Sequence, residues 1–466
     1  MAACEERTLI ADAVAAFTTG TPFAALPAAV VAKARRHILD TLACGLAGAC
    51  SAEGRAVRFA LAASEPAGPA PVWGTPLALS PRAAALANGT ACHAFELDDT
   101  GGCDHSGAVV VPAALAALSL AERPVDGRTL ILAVVLGYEV ARRALEACGG
   151  YAPHNEAGWH STATCGTFGA ATAAAGVLAL TETETRDALG HAASFSGGLW
   201  AFIHDGAGTK RVHAGRAAEG GLLAALLARA GLAGPAQVFE DVWGGFTRSF
   251  APATADPGAW TRALGETWRL ERVAIKPHAA CRSAHSGIDA VGAILEGHRL
   301  AAADIESILV SGPALLAEMC GTRDIDVRAS AQMSLPYGIA VRVVRGDASL
   351  EQYGSTVRAD PAVRAAMDRV TIEIDPGLGA LDHPTVRLAT RDGRVFAERV
   401  SDPLGSPTNP VPDAAHAAKV TALSGMALDE ASVDRLIDAI ATLETSGDVR
   451  GLPALLAASC DPDLFD

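Results

Sequence analysis

Two segments, residues 166–180 and 214–231, consist mainly of alanine and glycine, and they restrict the fold more than any other feature of the chain. Such small residues let two helix axes approach each other closely. Half of the 466 residues are hydrophobic but only 5% are aromatic, so alanine, leucine and valine must fill most of the core. This composition predicts closely packed helices.

A helical pattern extends from the N-terminus to about residue 265. Apolar residues recur at helical spacing between Val30 and Leu42. Ser80 precedes Pro81 as a capping residue would, and the segment from Thr181 to Glu184 fits a capping box. We therefore expect residues 1–266 to form a compact all-α domain.

The pattern changes near Trp268, which indicates an α+β domain over residues 267–402. The predicted strands are 268–276, 306–310, 370–374 and a hairpin of 386–390 and 395–400, with helices at 284–297 and 331–345.

Helical patterns return after a stretch rich in proline, serine and asparagine at 403–412. They cover residues 413–426, 430–445 and 452–459. The predicted fold class is therefore mainly α with an α+β insertion. A large all-helical domain is made of both chain ends, residues 1–266 and 403–466, and the inserted α+β domain is a smaller lid.

The charge balance argues against nucleic acid as a partner. The 37 Lys and Arg residues face 52 Asp and Glu residues, which gives a net charge of −15 without a local basic stripe. We read no signal peptide, and the apolar stretches are shorter than the roughly 18 residues of a membrane-spanning helix. The ten cysteines suit buried thiols in a reducing compartment. We expect a soluble, cytoplasmic protein without a membrane partner.

The segment from His93 to His105 combines four carboxylates and two imidazoles between two apolar helices. One interpretation is a solvated acidic loop that caps the next helix. The functional interpretation makes His105 an acid or base that faces a cavity, with Thr100 as a hydrogen-bond donor.

Gly158–Gly166 contains His160 among several hydroxyls at the predicted start of a helix. Free backbone N–H groups and hydroxyls such as that of Thr162 would bind an anion there, and His160 would supply a proton or polarise a carboxylate. The alternative is ordinary helix capping, with His160 packed in the core.

Gly206–Gly215 superficially resembles a phosphate loop, but it lacks the order Gly-Lys-Ser/Thr and no strand precedes it. A cation among glycines suits a substrate carboxylate, so Lys210 is interpreted as a charge clamp or a base. An ordinary surface lysine is the alternative.

Lys276–His285 is the strongest basic cluster of this acidic chain, with Lys276, His278 and Arg282 as candidate ligands of an anionic substrate. Capping and packing of a helix is the alternative. Tyr337 alone would more often belong to a core. We find no zinc-binding cysteine pairs, no serine-hydrolase elbow and no dinucleotide-binding glycine motif, so no metal or cofactor site is predicted.

Taken in order, these segments resemble the MmgE/PrpD family, which includes 2-methylcitrate dehydratase, cis-aconitate decarboxylase and iminodisuccinate epimerase. The residues that carry the resemblance are His93–Thr100, His105–Ala108, Gly158–Gly169, Thr209–Gly215, Lys276–Asp289 and Ser334–Tyr337.

The resemblance implies a homodimer with a helical domain, an α+β lid, and neither a metal nor an organic cofactor. It also implies a small polycarboxylate substrate near a common set of residues. These are Glu96, Thr100, His105, His160, Lys210, Lys276 and Tyr337, and His213 belongs to the same block as Lys210.

Three departures from the family pattern bear on the substrate. Glu96 stands where the decarboxylase has aspartate, and Cys281 stands about where it carries a further histidine, which counts against itaconate production. The loop between Thr100 and His105 lacks a tryptophan-containing insertion of 2-methylcitrate dehydratases.

The leading hypothesis is a cofactor-independent lyase that transfers a proton α to a carboxylate, in a dehydration, a hydration or a decarboxylation. His105 is the leading acid or base, and Tyr337 or His160 is its partner. An epimerase of a dicarboxylate such as iminodisuccinate, or a non-catalytic binder of small acids, remains an alternative.

Overall fold

The structure is a computed structural model that describes residues 8–458. Its N-terminal part is almost entirely helical. The elements are α1 (Ile10–Gly20), α2 (Ala28–Ala49), α3 (Ala52–Ser64), β1 (Ala67–Pro71), β2 (Ala78–Leu79), α4 (Pro81–His93), β3 (Asp99–Thr100), α5 (Gly107–Leu118), α6 (Gly127–Ala147), α7 (Tyr151–Glu156), α8 (Ser161–Thr164), α9 (Gly166–Leu178), α10 (Glu182–Phe195), α11 (Thr209–Arg229) and α12 (Phe246–Phe250).

The remaining chain contains a small sheet, the helices around it and two C-terminal helices. The elements are β4 (Ala274–Ile275), α13 (Arg282–His298), β5 (Ile305–Gly312), α14 (Ala314–Cys320), α15 (Arg328–Ala331), α16 (Leu335–Arg345), α17 (Ser355–Arg358), α18 (Pro361–Met367), β6 (Val370–Ile374), β7 (Thr385–Thr390), β8 (Val395–Glu398), α19 (Asp413–Ser424) and α20 (Glu430–Ala441). The fold is thus mainly α with a smaller α+β part, as predicted.

The helix caps follow from the local sequence. Ser80 accepts a hydrogen bond from the amide of Ala83 at the start of α4. Thr181 and Glu184 form the predicted capping box of α10, since each side chain bonds the other's backbone amide. These caps fix where two helices of the N-terminal part begin.

Small residues let α4, α9 and α11 pack closely. A side chain on Gly215 of α11 would come within 2.2 Å of the carbonyl oxygen of Leu86 in α4, and one on Gly221 within 2.6 Å of the carbonyl oxygen of Thr167 in α9. Both positions therefore require glycine for steric reasons. The alanine- and glycine-rich segments fulfil the expectation of closely approaching helices.

The α+β part contains a four-stranded mixed sheet in the order β6-β5-β7-β8. β5 and β6 are parallel, whereas β7 is antiparallel to both β5 and β8. Buried side chains from Ile308, Val310, Val370 and Leu388 join the core between this sheet and its helices. The same core also includes Ala43 and Ala47 of α2 and Val420 of α19, so it joins the sheet to the helical part.

Two C-terminal helices return to the N-terminal helices. α19 and α20 both contact α2, and Val433, Leu436 and Ile440 lie in the same core as Ile38 and Leu42. This packing agrees with a helical body built from both chain ends, while boundaries at residues 266 and 402 stay a prediction.

The predicted strand over residues 268–276 is wrong for most of its length. Residues Arg269–Arg272 form a 3-10 turn, and only Ala274 and Ile275 are in a strand, where they pair with Thr100 and Asp99. The predicted helix at 331–345 is interrupted between α15 and α16. The last predicted helix, 452–459, is a 3-10 helix at Leu452–Leu456, and its residue 459 lies outside the described residues.

Among residues 8–458, none of the helices combines the length and apolar character that a bilayer crossing demands. The eight cysteines of this part are buried, as the sequence predicts. Cys4 and Cys460 lie outside it.

Candidate active site

A buried carboxylate, that of Glu96, holds together three cationic side chains. It accepts hydrogen bonds from Lys210 Nζ at 2.7 and 2.8 Å, from Lys276 Nζ at 3.1 Å, and from the guanidinium of Arg211. Burial opposes the charge of this carboxylate, but the three cations outweigh burial and hold the pKa of Glu96 well below its ordinary value. One carboxylate therefore bonds three cationic side chains.

The pairing of β3 with β4 brings these charges together. Glu96 lies between α4 and β3, Lys276 directly follows β4, and Lys210 lies in the first turn of α11. Because β3 and β4 are antiparallel neighbours, Lys276 also donates to the backbone carbonyl of Glu96 at 3.0 Å. Residues 180 positions apart in the chain thus share one site.

His105 lies beside this cluster and is surrounded by carboxylates. Its Nδ1 is 2.9 Å from the carbonyl oxygen of Asp99 and 3.1 Å from Asp98 Oδ2, and its Nε2 is 3.4 Å from Asp104 Oδ2 and 3.7 Å from Glu96 Oε1. Burial favours the neutral ring, but Asp104 and Asp98 outweigh burial and raise the pKa of His105 above its ordinary value. The raised pKa favours the charged imidazole, which is the form that can donate a proton.

Three further imidazoles near His105 favour the neutral form. Burial and then the charge of His105 lower the pKa of His93 to about 3, and burial and then His213 lower the pKa of His160 well below its ordinary value. Burial and the charge of Lys210 lower the pKa of His213 to about 4. His160 Nδ1 and His213 Nδ1 are 3.0 Å apart, so one ring donates to the other.

Two buried ring nitrogens in this group have no hydrogen-bond partner within residues 8–458. They are Nε2 of His93 and Nε2 of His160. Buried polar atoms normally have a partner, so these nitrogens indicate where a bound molecule, a water or an ion would bond.

The imidazole nitrogens of His93, His105 and His160 lie within 4.8 Å of one another and, among the described residues, are the group arranged closely enough to hold a metal ion. The neutral rings of His93 and His160 suit metal binding, whereas the neighbouring charges of Lys210 and Lys276 oppose it. The expectation that no metal is required therefore stays a prediction.

A cavity of about 230 Å³ opens onto Glu96, His105 and Lys210, whereas His93, His160, His213 and Lys276 lie outside its lining. Its lining includes Glu96, Thr100, His105, Lys210, Cys281 and Arg282, with Arg142 and Arg272 adding further positive charge. A volume below the roughly 300 Å³ of ordinary ligand pockets suits a small molecule. Its four Lys and Arg side chains outnumber its three carboxylates, those of Glu96, Asp104 and Asp382, and this excess of positive charge suits an anion.

Two residues of the site have a backbone conformation that is uncommon for side chains. Glu96 has a φ of 54° and Asp104 a φ of 125°. Such conformations cost free energy and persist where the surrounding structure enforces them, which is typical of functional sites.

The hydroxyls of Thr100 and Thr162, predicted to contact substrate, bond to protein groups. Thr100 donates to Asp104 Oδ1 at 2.9 Å, and Thr162 accepts from the backbone amide of His105 at 3.4 Å. Thr100 nevertheless lines the cavity. Thr162 instead supports the backbone of His105.

Tyr337 and His278, both predicted from the sequence as site residues, bond to partners outside the cavity. The Tyr337 hydroxyl donates to the carbonyl oxygen of Gln352 at 2.6 Å, and its ring packs against Tyr353 in the core of the α+β part. His278 bonds to Asp289 at 2.7 Å. Neither lines the cavity, because the helix and turn that carry them direct both side chains to local partners.

Arg282 lines the cavity, and four hydrogen bonds fix its position. It donates to the carbonyl oxygens of Pro403 and Leu404, to the hydroxyl of Ser406 and to Nδ1 of His285. These acceptors are neutral, so the guanidinium keeps its charge for an anion in the cavity.

Several residues of the site were not singled out from the sequence. Arg211 adjoins Lys210, but neighbours on a helix normally point in different directions. His93 and Asp98 belong to the predicted acidic segment, in which His93 Nδ1 bonds to Asp98 Oδ1 at 3.0 Å. The density of charged residues in that segment is the signal that identifies them.

Cys281 also lines the cavity and is a free thiol. A hydrogen bond from Cys320, opposed by burial and assisted by Lys210, lowers the pKa of Cys281 to about 6. A thiolate among lysines is a nucleophile or a base.

The fold and the site define an enzyme that handles a small anion with buried acid and base groups. Residues 12–257 match the MmgE/PrpD N-terminal domain and residues 278–445 match the MmgE/PrpD C-terminal domain. The chain belongs to the MmgE/PrpD family.

Similar curated proteins extend over nearly the whole chain. A cis-aconitate decarboxylase-like protein, oryM, of Aspergillus oryzae is 30% identical over 93% of this chain and 94% of its own length. The cis-aconitate decarboxylase of Aspergillus terreus is 31% identical over 92% of both chains, and that of Homo sapiens is 28% identical over 93% of this chain and 92% of its own. The family and these relatives identify an enzyme of the carboxylate lyase type.

Proposed function

We propose that the protein is a cofactor-independent lyase that transfers a proton at the carbon next to a carboxylate of a small di- or tricarboxylic acid. Decarboxylation of an unsaturated tricarboxylate such as cis-aconitate is the first candidate because similar curated proteins carry that name, although Glu96 and Cys281 depart from the decarboxylase pattern. The observation that carries the proposal is His105, an imidazole of raised pKa beside a cavity that also contains Lys210 and Arg282.

Substrate binding follows from the charges of the cavity. Lys210 and Arg282 receive carboxylates, while Lys276 and Arg211 add positive charge behind Glu96. Because these cations are buried and already positioned, they stabilise the negative charge that develops on the substrate without reorganising.

The chemical step needs a proton to replace the departing group. When a carboxylate leaves as carbon dioxide, the electron pair of the broken carbon–carbon bond stays on the substrate as an enolate-like anion. The charged His105 then donates one proton to the carbon of this anion that lies next to a remaining carboxylate. His105 becomes neutral, and solvent returns its proton. Asp98 and Asp104 favour the charged ring before the transfer.

Dehydration is a second candidate because Cys281 lines the cavity with a lowered pKa. Its thiolate would remove the α proton, and His105 would protonate the departing hydroxyl. Epimerisation of a dicarboxylate needs the same removal of a proton, followed by its return to the opposite face.

Product analysis in D₂O separates these reactions. Citrate, 2-methylcitrate, cis-aconitate and iminodisuccinate are incubated with the enzyme and followed by proton NMR. Decarboxylation predicts carbon dioxide release and one deuterium in the product, and dehydration predicts a new alkene. Epimerisation predicts that the α hydrogen exchanges for deuterium without loss of water or carbon dioxide. Ligand-induced thermal stabilisation without turnover or exchange would contradict an enzymatic role and favour a binder of small acids.

The cofactor-independent mechanism has its own test. Activity that survives exhaustive dialysis against a chelator supports it, and activity lost on chelation and restored by a divalent metal contradicts it. We also expect a cytoplasmic homodimer, which size-exclusion chromatography with light scattering and subcellular fractionation would examine.

A further inference from the structure

A second cavity of about 540 Å³ lies on the outer side of β4, between α2 and the C-terminal helices. Four basic residues of α2 line it, namely Lys33, Arg35, Arg36 and His37, together with His416 of α19. It shares no lining residue with the cavity of the candidate active site. The two cavities are therefore distinct.

The helical spacing explains how these side chains converge. Arg36 and His37 follow Lys33 by three and four positions, so all three lie on one side of α2. Apolar residues such as Val273 and Ile440 form other parts of the wall. Charged heads in a partly apolar pocket interact with an anion more strongly than they would on an open surface.

The cations of this cavity mainly bond to neutral acceptors. Lys33 Nζ donates to the carbonyl oxygen of Glu271 at 2.6 Å, Arg35 to that of Ala441 at 2.7 Å and Arg36 to that of Val411 at 2.5 Å. A carbonyl oxygen satisfies a donor without cancelling its charge. Nε of Arg35 is buried and has no hydrogen-bond partner within residues 8–458.

The nearby carboxylates are already engaged or exposed. Asp413 pairs with Arg36, but its side chain is 96% exposed. Asp99 bonds to His37, Tyr138 and the amide of Gly107.

Asp40 pairs with Lys419 at 2.8 Å and with His416 at 3.2 Å. Burial lowers the pKa of Lys33 to about 8 although the charge of Glu271 opposes this shift, so the cavity destabilises uncompensated positive charge. A bound anion would compensate the positive charge of this cavity.

We propose that this second cavity binds a small oxyanion with at least two negative charges, of the phosphate ester or polycarboxylate class. Lys33 and the two arginines bind its charged oxygens, and the apolar wall covers its remainder. This binding site is separate from the candidate active site, so the proposal does not depend on the proposed lyase function.

Calorimetric titration of the full chain with sodium pyrophosphate and, separately, with citrate tests the proposal. Lys210→Met removes a cation from the candidate active site, and Lys33→Gln or Arg35→Gln removes one from the second cavity. Arg435→Gln is the matched control, because Arg435 is exposed on α20 and lies outside the cavity. Circular dichroism establishes that each variant is folded.

At least one anion should bind Lys210→Met as well as the unchanged protein. Its affinity should fall by about tenfold in both Lys33→Gln and Arg35→Gln, as expected for a lost charged hydrogen bond, and stay unchanged in Arg435→Gln. A preference for pyrophosphate would assign the phosphate class, and a preference for citrate the carboxylate class. Failure of both anions to bind, binding lost only in Lys210→Met, or equal weakening in Arg435→Gln would overturn the proposal.

Discussion

Glu96 determines how the positive charge of the candidate active site is arranged. Its carboxylate bonds Lys210, Lys276 and Arg211 at once, and it does so from a strained backbone conformation. Removal of one partner from a buried ionic group leaves charges that neither water nor protein compensates. We therefore expect Glu96 to matter for stability as well as for the proposed substrate binding.

Replacing Glu96 by Gln should lower the free energy of unfolding by about 3–5 kcal/mol, because three buried cations lose their anion. Urea denaturation followed by circular dichroism measures the change. Glu318→Gln, at an exposed position of α14, is the matched control and should change stability by less than about 0.5 kcal/mol. Equal stability of the two variants would contradict the central role of Glu96.

Replacing His105 by Gln should lower kcat about 10²- to 10⁴-fold, since the variant cannot transfer a proton. In the unchanged enzyme, the acid function of His105 should decline as the pH rises above its raised pKa, so activity should fall on the alkaline side. Steady-state kinetics between pH 6 and 9 measure both effects. His298→Gln, at an exposed position at the end of α13, should retain the activity and pH profile of the unchanged enzyme.

At the scale of elements, the sequence predicts most helices and the strands of the sheet, because each depends on its own periodicity. The strand predicted from Trp268 fails because tertiary contacts determine that segment. The amide of Arg269 donates to Glu139, and the carbonyl oxygen of Glu271 accepts from Lys33. Neither contact leaves a local pattern.

The candidate active site shows the same difference between local patterns, which the sequence reveals, and tertiary contacts, which it does not. The charged segments that contain His105, Lys210 and Lys276 are recognisable in the chain, and the resemblance to a family points to the same residues and to Glu96. The pairing of β3 with β4 is not visible in the sequence, and it decides which residues meet Glu96. Tyr337 illustrates the limit, because a motif position does not give the direction of a side chain.

Gly215 makes the contact of α11 with α4 sensitive to a single methyl group. Gly215→Ala should lower the free energy of unfolding by about 1–3 kcal/mol, because the added carbon would lie 2.2 Å from the carbonyl oxygen of Leu86. Gly297→Ala in α13 has no atom within 4 Å of the added carbon and should stabilise slightly or leave stability unchanged. Thermal unfolding of both variants compares them, and similar losses would contradict close helix packing.

At the scale of the whole molecule, buried neutral histidines connect stability with pH. Burial first, and neighbouring cations second, lower the pKa values of His93, His160, His213 and His285. In the unfolded chain these rings protonate near pH 6.5, so the unfolded state binds more protons below that pH. His105, whose pKa is raised, contributes with the opposite sign.

The free energy of unfolding should therefore fall as the pH decreases from about 6.5 toward 4, by about 1.4 kcal/mol per pH unit for each net proton taken up. Urea denaturation at pH 7.0, 6.0 and 5.0 measures the slope. His213→Gln should flatten it by about one proton, since that ring has a pKa of about 4 in the folded state. A slope that is unchanged by this substitution would show that His213 does not contribute.

The ribbon formed by β3 and β4 also has a consequence for biosynthesis. Glu96, His105 and Lys210 are synthesised well before Lys276, Cys281 and Arg282. A growing polypeptide has no complete set of site residues until Arg282 has left the ribosome and β4 has joined β3. We therefore expect turnover to begin only after β4 has joined β3, so enzymatic activity should report on this long-range pairing.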